Sequence, residues 1–302
     1  MEVVRTAELV ATPARAEDVA PSRAADFVEL TKPRITSLVL LTAAVGYAVG
    51  GEGAFSAFRF LLFMAGTALL CAGASALNQY YERDTDALMV RTSRRPLPAG
   101  RLRPEEALVF GLALSGAGLA LLTFVNPLTL LLGAVSLSSY VLAYTPLKRV
   151  SSLCTVVGAV PGALPPLMGW AAAHGRLAPA GWGLFAILFL WQLPHFLAIG
   201  WLYRDDYARG GFPMLAVTDR DGSSTGRQAV LYATALLPVT LAAGLLAAAG
   251  KGYLWGALVL GLAFLGCAML FAWDRSTGAA RRLFFASILY LPLVLGLMVF
   301  DR

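Results

Sequence analysis

The chain has 302 residues, of which 58% are hydrophobic and only 14% are charged, with a formal net charge of +6 at pH 7. Its apolar residues come in blocks long enough to cross a bilayer, which excludes an ordinary soluble protein. The positive charge collects in short loops between the blocks, so it predicts no nucleic-acid partner. The 3 cysteines lie far apart inside apolar blocks, which favours small core residues over a disulfide or a zinc site.

The first segment, residues 1–25, is a polar tail rich in Ala and Pro that lacks sustained periodicity. We predict that this tail is disordered and cytoplasmic. It has no apolar core that would make it a secretory signal, and its acidic residues are atypical of a mitochondrial transit peptide. Residues 26–302 are predicted to fold as one transmembrane domain.

Long uncharged blocks follow the tail. Those without Asp, Glu, Lys or Arg are 35–51, 60–81, 107–147, 150–173, 177–203, 228–250, 252–273 and 283–300. A helix needs about 20 apolar residues to cross the bilayer core. Block 107–147 is about twice that length and is interrupted by Asn126-Pro127, so it predicts two helices. Continuous apolar runs favour helices over barrel strands, which would alternate. The sequence therefore predicts an all-α polytopic membrane protein with nine transmembrane helices.

The basic residues predict how these helices are oriented. One set of alternate connections is rich in them: Arg83, Arg91, Arg94, Arg95, Arg101, Arg103, Lys148, Arg149, Arg204, Arg209, Arg220, Arg227, Arg275, Arg281 and Arg282. The opposite connections hold Arg59, Arg176 and Lys251. The positive-inside rule therefore predicts a cytoplasmic N-terminus and an external C-terminus.

The segment Asn78–Pro96 concentrates acids and bases at the end of a hydrophobic run. On a continuous helix, Asn78, Glu82 and Asp86 fall within an arc of about 80°, with Met89 beside them, whereas Asp84 points away. Hard oxygen ligands at the mouth of an apolar tunnel suit Mg²⁺ bound to substrate phosphates. The alternative is a solvated loop in which these acids and bases pair with each other.

A second cluster, Tyr140–Arg149, places Lys148 and Arg149 at the predicted cytoplasmic end of the fourth span. Such cations commonly snorkel and fix topology. The alternative is that they neutralise a diphosphate, since both the guanidinium fork and the compact ammonium suit phosphate oxygens.

The third polar cluster runs from Trp191 to Met214. On an ideal helix His195 and Asp206 differ by only about 20°, and Asp205 lies about 80° away, although a kink at Pro194 would change these angles. His195 is either a core histidine bonded to a neighbouring helix or a residue that faces a cavity. The two aspartates are either interfacial loop acids or part of a metal site shared with the first cluster, since both clusters are predicted on one side.

Over roughly residues 27–300 the chain resembles the UbiA-type family of intramembrane prenyltransferases. The resemblance rests on the segments Leu30–Thr36, Asn78–Pro96, Tyr144–Arg149, Gly162–Trp170 and Trp191–Met214. The Asn-x₃-acid spacing marks the broad superfamily. The Pro165-Pro166-x-x-Gly169-Trp170 and Pro194-His195-Phe196 segments resemble its heme-modifying branch. The chain departs from many members at Glu82, where they carry Asp, and at Cys154, where they often carry Asn.

This resemblance implies that a farnesyl group moves from farnesyl diphosphate to a vinyl group of heme B, with addition of water. The product would be heme O, which serves terminal oxidase assembly. Mg²⁺ is implied as cofactor, and the lipid bilayer of the cell inner (plasma) membrane as surroundings, with the active site facing the cytoplasm. Heme-handling proteins are expected as partners, although no segment of the chain identifies them.

The resemblance also implies a role for each polar cluster. The residues expected to organise Mg²⁺ and diphosphate are Asn78, Glu82, Asp86 and Asp206, with Asp205 as a further metal ligand. Arg94, Lys148 and Arg149 are expected to contact the diphosphate or the heme propionates, between which the sequence does not decide. His195 is expected to contact heme as axial ligand or hydrogen-bond donor, because imidazole is a common heme ligand.

Two other functions stay open at this point. The prenyl acceptor could be an aromatic ring, as in ubiquinone or menaquinone synthesis, although the His195 segment favours heme. Nine spans with intramembrane prolines and polar residues also fit a transporter. A transporter would have no evident need for two loops rich in Asp and Arg on one face.

Overall fold

A computed structural model describes residues 22–51 and 55–301. In these residues 9 helices are long and apolar enough to cross a membrane, which confirms the predicted all-α fold and number of spans. They are α2 (Pro33–Gly50), α3 (Ala57–Asp86), α4 (Pro104–Thr123), α5 (Pro127–Leu147), α6 (Cys154–His174), α7 (Pro179–Leu202), α10 (Ser223–Leu246), α11 (Lys251–Asp274) and α12 (Thr277–Phe300). Three short helices accompany them: α1 (Arg23–Leu30), α8 (Arg204–Arg209) and α9 (Leu215–Thr218).

The predicted boundary of the N-terminal tail is wrong by a few residues. Helix α1 already begins at Arg23, where the Ser22 hydroxyl accepts a hydrogen bond from the amide of Ala25 (3.3 Å). Its Asp26 pairs with Arg101 at 2.7 Å, from the connection between α3 and α4. This ion pair is a long-range contact that the local composition of the tail does not reveal. Residues 1–21 of the predicted tail lie outside the described residues.

Proline and side-chain caps set several helix starts. Helices α2, α4, α5 and α7 begin with Pro33, Pro104, Pro127 and Pro179. At the first helical position a proline loses no hydrogen bond and already has the required φ angle. The predicted break in block 107–147 is confirmed, since the Asn126 side chain caps α5 by accepting from the amide of Thr129 (2.8 Å).

Helix α6 occupies the centre of the first half of the bundle, and 72% of the residues in an apolar stretch of 18 residues of this helix are buried. It crosses α2 at close range. A methyl group at Gly46 would lie 1.9 Å from the carbonyl oxygen of Pro166, and one at Gly169 would lie 2.1 Å from that of Ala43. Small residues at such crossings let helix backbones touch inside a membrane. The crossing therefore fixes α2, and with it the polar segment just before α2, against α6.

Buried hydroxyl groups join the helices of the second half. The Tyr253 hydroxyl of α11 donates to the carbonyl oxygen of Thr240 in α10 at 2.8 Å. The Thr240 hydroxyl lies 2.8 Å from the hydroxyl of Tyr290 in α12. Polar groups between membrane helices need such partners because no water is present to replace them.

The loops rich in basic residues gather at one end of the bundle. Asp206, after α7, accepts from the amide of Val90, after α3, at 3.1 Å. Lys148, after α5, pairs with Glu82 at the end of α3 (2.7 Å). Arg275, after α11, lies 3.6 Å from Asp221. We call this end of the molecule the polar end, and the candidate site lies there.

Candidate active site

The last turns of α3 present a buried polar stripe. Asn78, Glu82 and Asp86 are exposed by only 2%, 2% and 1%, which confirms the predicted shared helix face. The side chain of Asp84 is 74% exposed, as its helical phase predicts. Met89 is not on this helix, because α3 ends at Asp86 and Met89 lies buried in the following turn.

An ion pair closes one side of the stripe. The Lys148 ammonium lies 2.7 Å from Oε1 of Glu82 and 5.4 Å and 5.0 Å from the ring centroids of Tyr144 and Phe212. Desolvation alone would lower the pKa of Lys148, but the Glu82 carboxylate together with Tyr207 and Tyr140 outweighs it and holds this pKa above its ordinary value. Lys148 is therefore a charged group inside the site, as the diphosphate hypothesis requires.

Asn78 is held from two sides. Its Oδ1 accepts from the ammonium of Lys32 at 3.1 Å, and its Nδ2 donates to the hydroxyl of Thr145 at 3.2 Å. Thr145 follows a π-helical stretch of α5 (Ser139–Tyr144) and donates to the carbonyl oxygen of Tyr140 (2.8 Å). Single π-helical turns are common at functional sites.

Lys32 is a site residue to which the sequence analysis gave no role. Burial, and secondarily the charge of Arg95, lower the pKa of Lys32 to about 7. Lys32 belongs to the segment Leu30–Thr36, which contributes to the family resemblance, and this resemblance is the signal that could have identified it. Nothing local in the sequence shows that Lys32 reaches Asn78, 46 positions further along the chain.

Asp86 has one paired and one unpaired carboxylate oxygen. Oδ2 accepts from Arg95 at 2.7 Å, whereas Oδ1 is buried without a hydrogen-bond partner among the described residues. A buried acceptor without a partner costs about 1–3 kcal/mol and calls for an explanation. Arg95 was not singled out in the sequence, where the choice between Arg94 and Arg95 depends on how the loop turns.

The stripe suits Mg²⁺ in its chemistry. Asn78, Glu82 and Asp86 offer hard oxygen ligands, and Oδ1 of Asp86 is an acceptor without a partner among the described residues. Within residues 22–51 and 55–301, no three His, Cys, Asp or Glu side chains converge on one point. Glu82 and Asp86 are each paired with a cation instead.

Asp206 connects the two acidic clusters through the backbone. Its carboxylate accepts from the amides of Val90 (3.1 Å) and Arg91 (3.3 Å) and from the side chain of Arg209. Desolvation raises the pKa of Asp206, but these hydrogen bonds outweigh it and hold this pKa below its ordinary value. Asp205 points elsewhere, since its side chain is 87% exposed and lies 3.8 Å from Arg204.

The remaining predicted cations lie at the rim of the site. Arg149 donates to the carbonyl oxygen of Tyr81 at 3.0 Å, and its guanidinium stacks over the Tyr81 ring. Arg94 is exposed, and its carbonyl oxygen accepts from Arg101 at 2.8 Å. Lys148 is therefore the one predicted cation that the structure places in contact with the carboxylates of the stripe.

The predicted helical alignment of His195 with Asp206 is wrong. Helix α7 ends at Leu202, and Tyr203 (φ −116°, ψ 23°) separates it from α8, which carries Asp206. The break removes the helical phase that the prediction assumed. His195 instead faces α12, where its Nδ1 lies 2.7 Å from the Ser287 hydroxyl.

A small cavity of about 50 Å³ lies between α5, α6, α7 and α9. Its lining includes Tyr144 and Phe196. The Tyr144 ring contacts the Lys148 ammonium, and the Phe196 ring contacts His195 at 5.8 Å between centroids. The cavity is therefore lined by one residue that contacts the cation of the stripe and by one that contacts the histidine.

Comparisons with known proteins agree with this architecture. Residues 39–289 match the UbiA prenyltransferase family. The protoheme IX farnesyltransferase of Solibacter usitatus is 50% identical, covering 92% of this chain and 98% of its own. That of Myxococcus xanthus is 48% identical, covering 96% and 98%.

Solved structures share the fold at low sequence identity. A digeranylgeranylglyceryl phosphate synthase superposes with a TM-score of 0.79 at 16% identity, covering 92% of this chain and 98% of that chain. A UbiA homolog from Archaeoglobus fulgidus, bound to GPP and Mg²⁺, gives a TM-score of 0.65 at 16% identity, covering 90% and 99%. With the match over 39–289, these comparisons identify the chain as a member of the UbiA prenyltransferase family.

Proposed function

We propose that the chain transfers the farnesyl group of farnesyl diphosphate to a vinyl group of heme B, with addition of water, to give heme O. The observation that carries this proposal is the buried stripe of Asn78, Glu82 and Asp86 beside Lys32 and Lys148, at the end of an apolar bundle. The protoheme IX farnesyltransferases at 50%, 48% and 44% identity support the choice of substrates.

The polar end is proposed to hold the diphosphate. Lys32, Arg95 and Lys148 are the cations within the site. Arg94 and Arg149, at the rim of the site, are proposed to meet the incoming diphosphate. Lys148 and Arg95 now neutralise Glu82 and Asp86. A bound diphosphate would pair with these cations in place of Glu82 and Asp86. The two carboxylates could then bind a metal.

Asn78, Glu82 and Asp86 are proposed to hold Mg²⁺, with Asp206 as a further ligand and Asp205 the least favoured because of its exposure. Mg²⁺, when bound there, would neutralise the diphosphate and assist its departure. Asp206 already accepts hydrogen bonds from the loop after α3. These bonds hold that loop against α8, so the proposed role of Asp206 also includes positioning.

The apolar interior is proposed to protect the reacting carbon. As the C1–O bond of farnesyl diphosphate breaks, its electron pair leaves with the diphosphate, and the farnesyl group becomes an allylic cation. The vinyl group of heme B attacks C1, and water then captures the new cation and loses a proton. Water that arrived earlier would hydrolyse the farnesyl cation, so its exclusion by packed aromatic side chains such as Tyr144 and Phe196 is part of the mechanism.

Heme is proposed to bind near His195, on the far side of the cavity from the stripe. The cavity holds about 50 Å³, close to the space of one or two water molecules. Either substrate must therefore separate the helices around it or enter from the membrane side. His195, next to the cavity wall, is the available imidazole for such a substrate.

The site is proposed to face the cytoplasm from the plasma membrane. The gathering of the basic loops at the polar end supports this orientation through the positive-inside rule. Heme-handling proteins would then meet the enzyme at the same surface.

A competition assay tests the acceptor. Membranes containing the protein receive farnesyl diphosphate, heme B and an aromatic quinone precursor together, with and without Mg²⁺, and both acceptors are followed by mass spectrometry. We expect Mg²⁺-dependent conversion of heme B to a product heavier by one farnesyl group and one hydroxyl group. An unchanged heme together with a prenylated quinone precursor would contradict the proposal.

A further inference from the structure

His195 is held in one orientation between α7 and α12. Its ring is nearly parallel to those of Trp191 (5.1 Å between centroids, 20°) and Phe284 (5.2 Å, 24°). The indole nitrogen of Trp191 donates to the carbonyl oxygen of Ser287 at 2.8 Å. The same serine bonds His195 through its side chain, so one residue of α12 anchors both rings.

The hydrogen bonds of Ser287 determine the tautomer of His195. The Ser287 hydroxyl lies 2.5 Å from the carbonyl oxygen of Phe284, which can only accept, so the hydroxyl proton is donated there. The same hydroxyl lies 2.7 Å from Nδ1 of His195 and must act as the acceptor. Nδ1 therefore carries a proton, and in a neutral imidazole Nε2 then carries a lone pair.

That lone pair has no hydrogen-bond partner among the described residues. Across residues 22–51 and 55–301, the hydrogen bond found for this ring is the one from Nδ1, and the residue as a whole is half-buried. Histidines that ligate metals usually donate their other ring N–H to an oxygen acceptor, which fixes the tautomer and the ring plane. Ser287 occupies that position relative to His195.

We propose that Ser287 is a positioning residue, which accepts the Nδ1 hydrogen of His195 and thereby presents the Nε2 lone pair to heme iron as an axial ligand. The inference rests on the proposed function, because it takes heme as the substrate. A single such ligand also suits a substrate that must leave as product. Ligation by Nε2 requires the iron, whereas contact between His195 and the porphyrin edge would be the same with and without iron.

The test titrates purified protein with two porphyrins, heme B and metal-free protoporphyrin IX. The variants are Ser287→Ala, which removes the acceptor, Ser287→Thr, which keeps a hydroxyl, and His195→Ala. Ser138→Ala is the matched control, because its hydroxyl also bonds a carbonyl oxygen of its own helix (Ala134, 2.8 Å) but no imidazole. Affinity is read from the Soret band, and ligation from the iron–nitrogen stretch of the ferrous complex by resonance Raman.

We expect Ser287→Ala to weaken heme B binding about tenfold and to shift the iron–nitrogen stretch, with protoporphyrin IX binding unchanged. Ser287→Thr should retain the wild-type stretch, and His195→Ala should lose it. Equal loss of affinity for both porphyrins in Ser287→Ala would reduce Ser287 to a packing role and overturn the inference. So would a Ser287→Ala spectrum identical to that of Ser138→Ala. Farnesyl transfer by the wild type is measured separately, so a failure of the proposed function is recognised independently.

Discussion

Removing the ammonium of Lys148 should destabilise the protein strongly, because it leaves the buried Glu82 carboxylate without its ion-pair partner. The two side chains are exposed by only 12% and 3%, and their charged atoms lie 2.7 Å apart. Loss of one partner from a buried ion pair costs about 3–5 kcal/mol. We therefore expect Lys148→Met to lower the free energy of unfolding by about this amount.

A second substitution separates this charge effect from lost packing. Glu82→Gln, added to Lys148→Met, removes the isolated charge and should restore much of the stability, since a buried pair contributes little net stability compared with neutral groups of similar size. Activity should stay low in both variants, because each lacks one of the cations proposed for the diphosphate and the double variant also lacks a carboxylate for the metal. The same change at exposed Lys251 is the control and should cost no more than about 0.5 kcal/mol.

Unfolding in detergent, followed by tryptophan fluorescence, measures all four proteins, and heme farnesylation measures activity. A double variant no more stable than Lys148→Met would refute the charge effect. Lys148→Met with the same stability as Lys251→Met would refute it as well. Recovery of activity in the double variant would remove Lys148 and Glu82 from the proposed chemistry.

Three further predictions test the site and the bundle that holds it. Asn78→Ala should lower kcat/KM for farnesyl diphosphate about 100-fold or more and change the Mg²⁺ dependence, whereas wild-type turnover across a Mg²⁺ titration would exclude Asn78 from the site. Asp84→Asn should stay within about twofold of wild type in the same assay, since its side chain is 74% exposed; damage equal to that of Asn78→Ala would contradict the helical phase. Gly46→Ala should destabilise the protein by at least about 1–3 kcal/mol, because the added methyl group would lie 1.9 Å from the Pro166 carbonyl oxygen. Gly116→Ala, where a methyl group meets nothing within 4 Å, should be tolerated, and equal thermal stability of the two glycine variants would refute the close crossing.

The membrane spans could be predicted from sequence because they depend on local properties. Uncharged blocks of bilayer length and turn signals such as Asn126-Pro127 indicate where each helix begins and ends. The stripe of Asn78, Glu82 and Asp86 could be predicted for the same reason, since three polar residues at helical spacing share a face wherever the helix packs.

The partners of these residues could not be predicted, because they come from distant parts of the chain. Lys32 reaches Asn78 across 46 positions, and Lys148 reaches Glu82 across 66. Which of two adjacent arginines pairs with Asp86 depends on the fold of a loop that has no sequence periodicity. The helix break at Tyr203 has no proline or glycine at that position. Nothing local in the sequence therefore indicates that His195 and Asp206 lie on different helices.

The most direct measurement of the central claim uses purified protein in lipid vesicles with heme B, farnesyl diphosphate and Mg²⁺, in water labelled with heavy oxygen. We expect one new heme species, heavier by a farnesyl group and one labelled hydroxyl group, that forms with the wild type and about 100-fold or more slowly with Asn78→Ala. Heme B recovered unchanged while farnesyl diphosphate is only hydrolysed, or a farnesylated heme without the label, would contradict it.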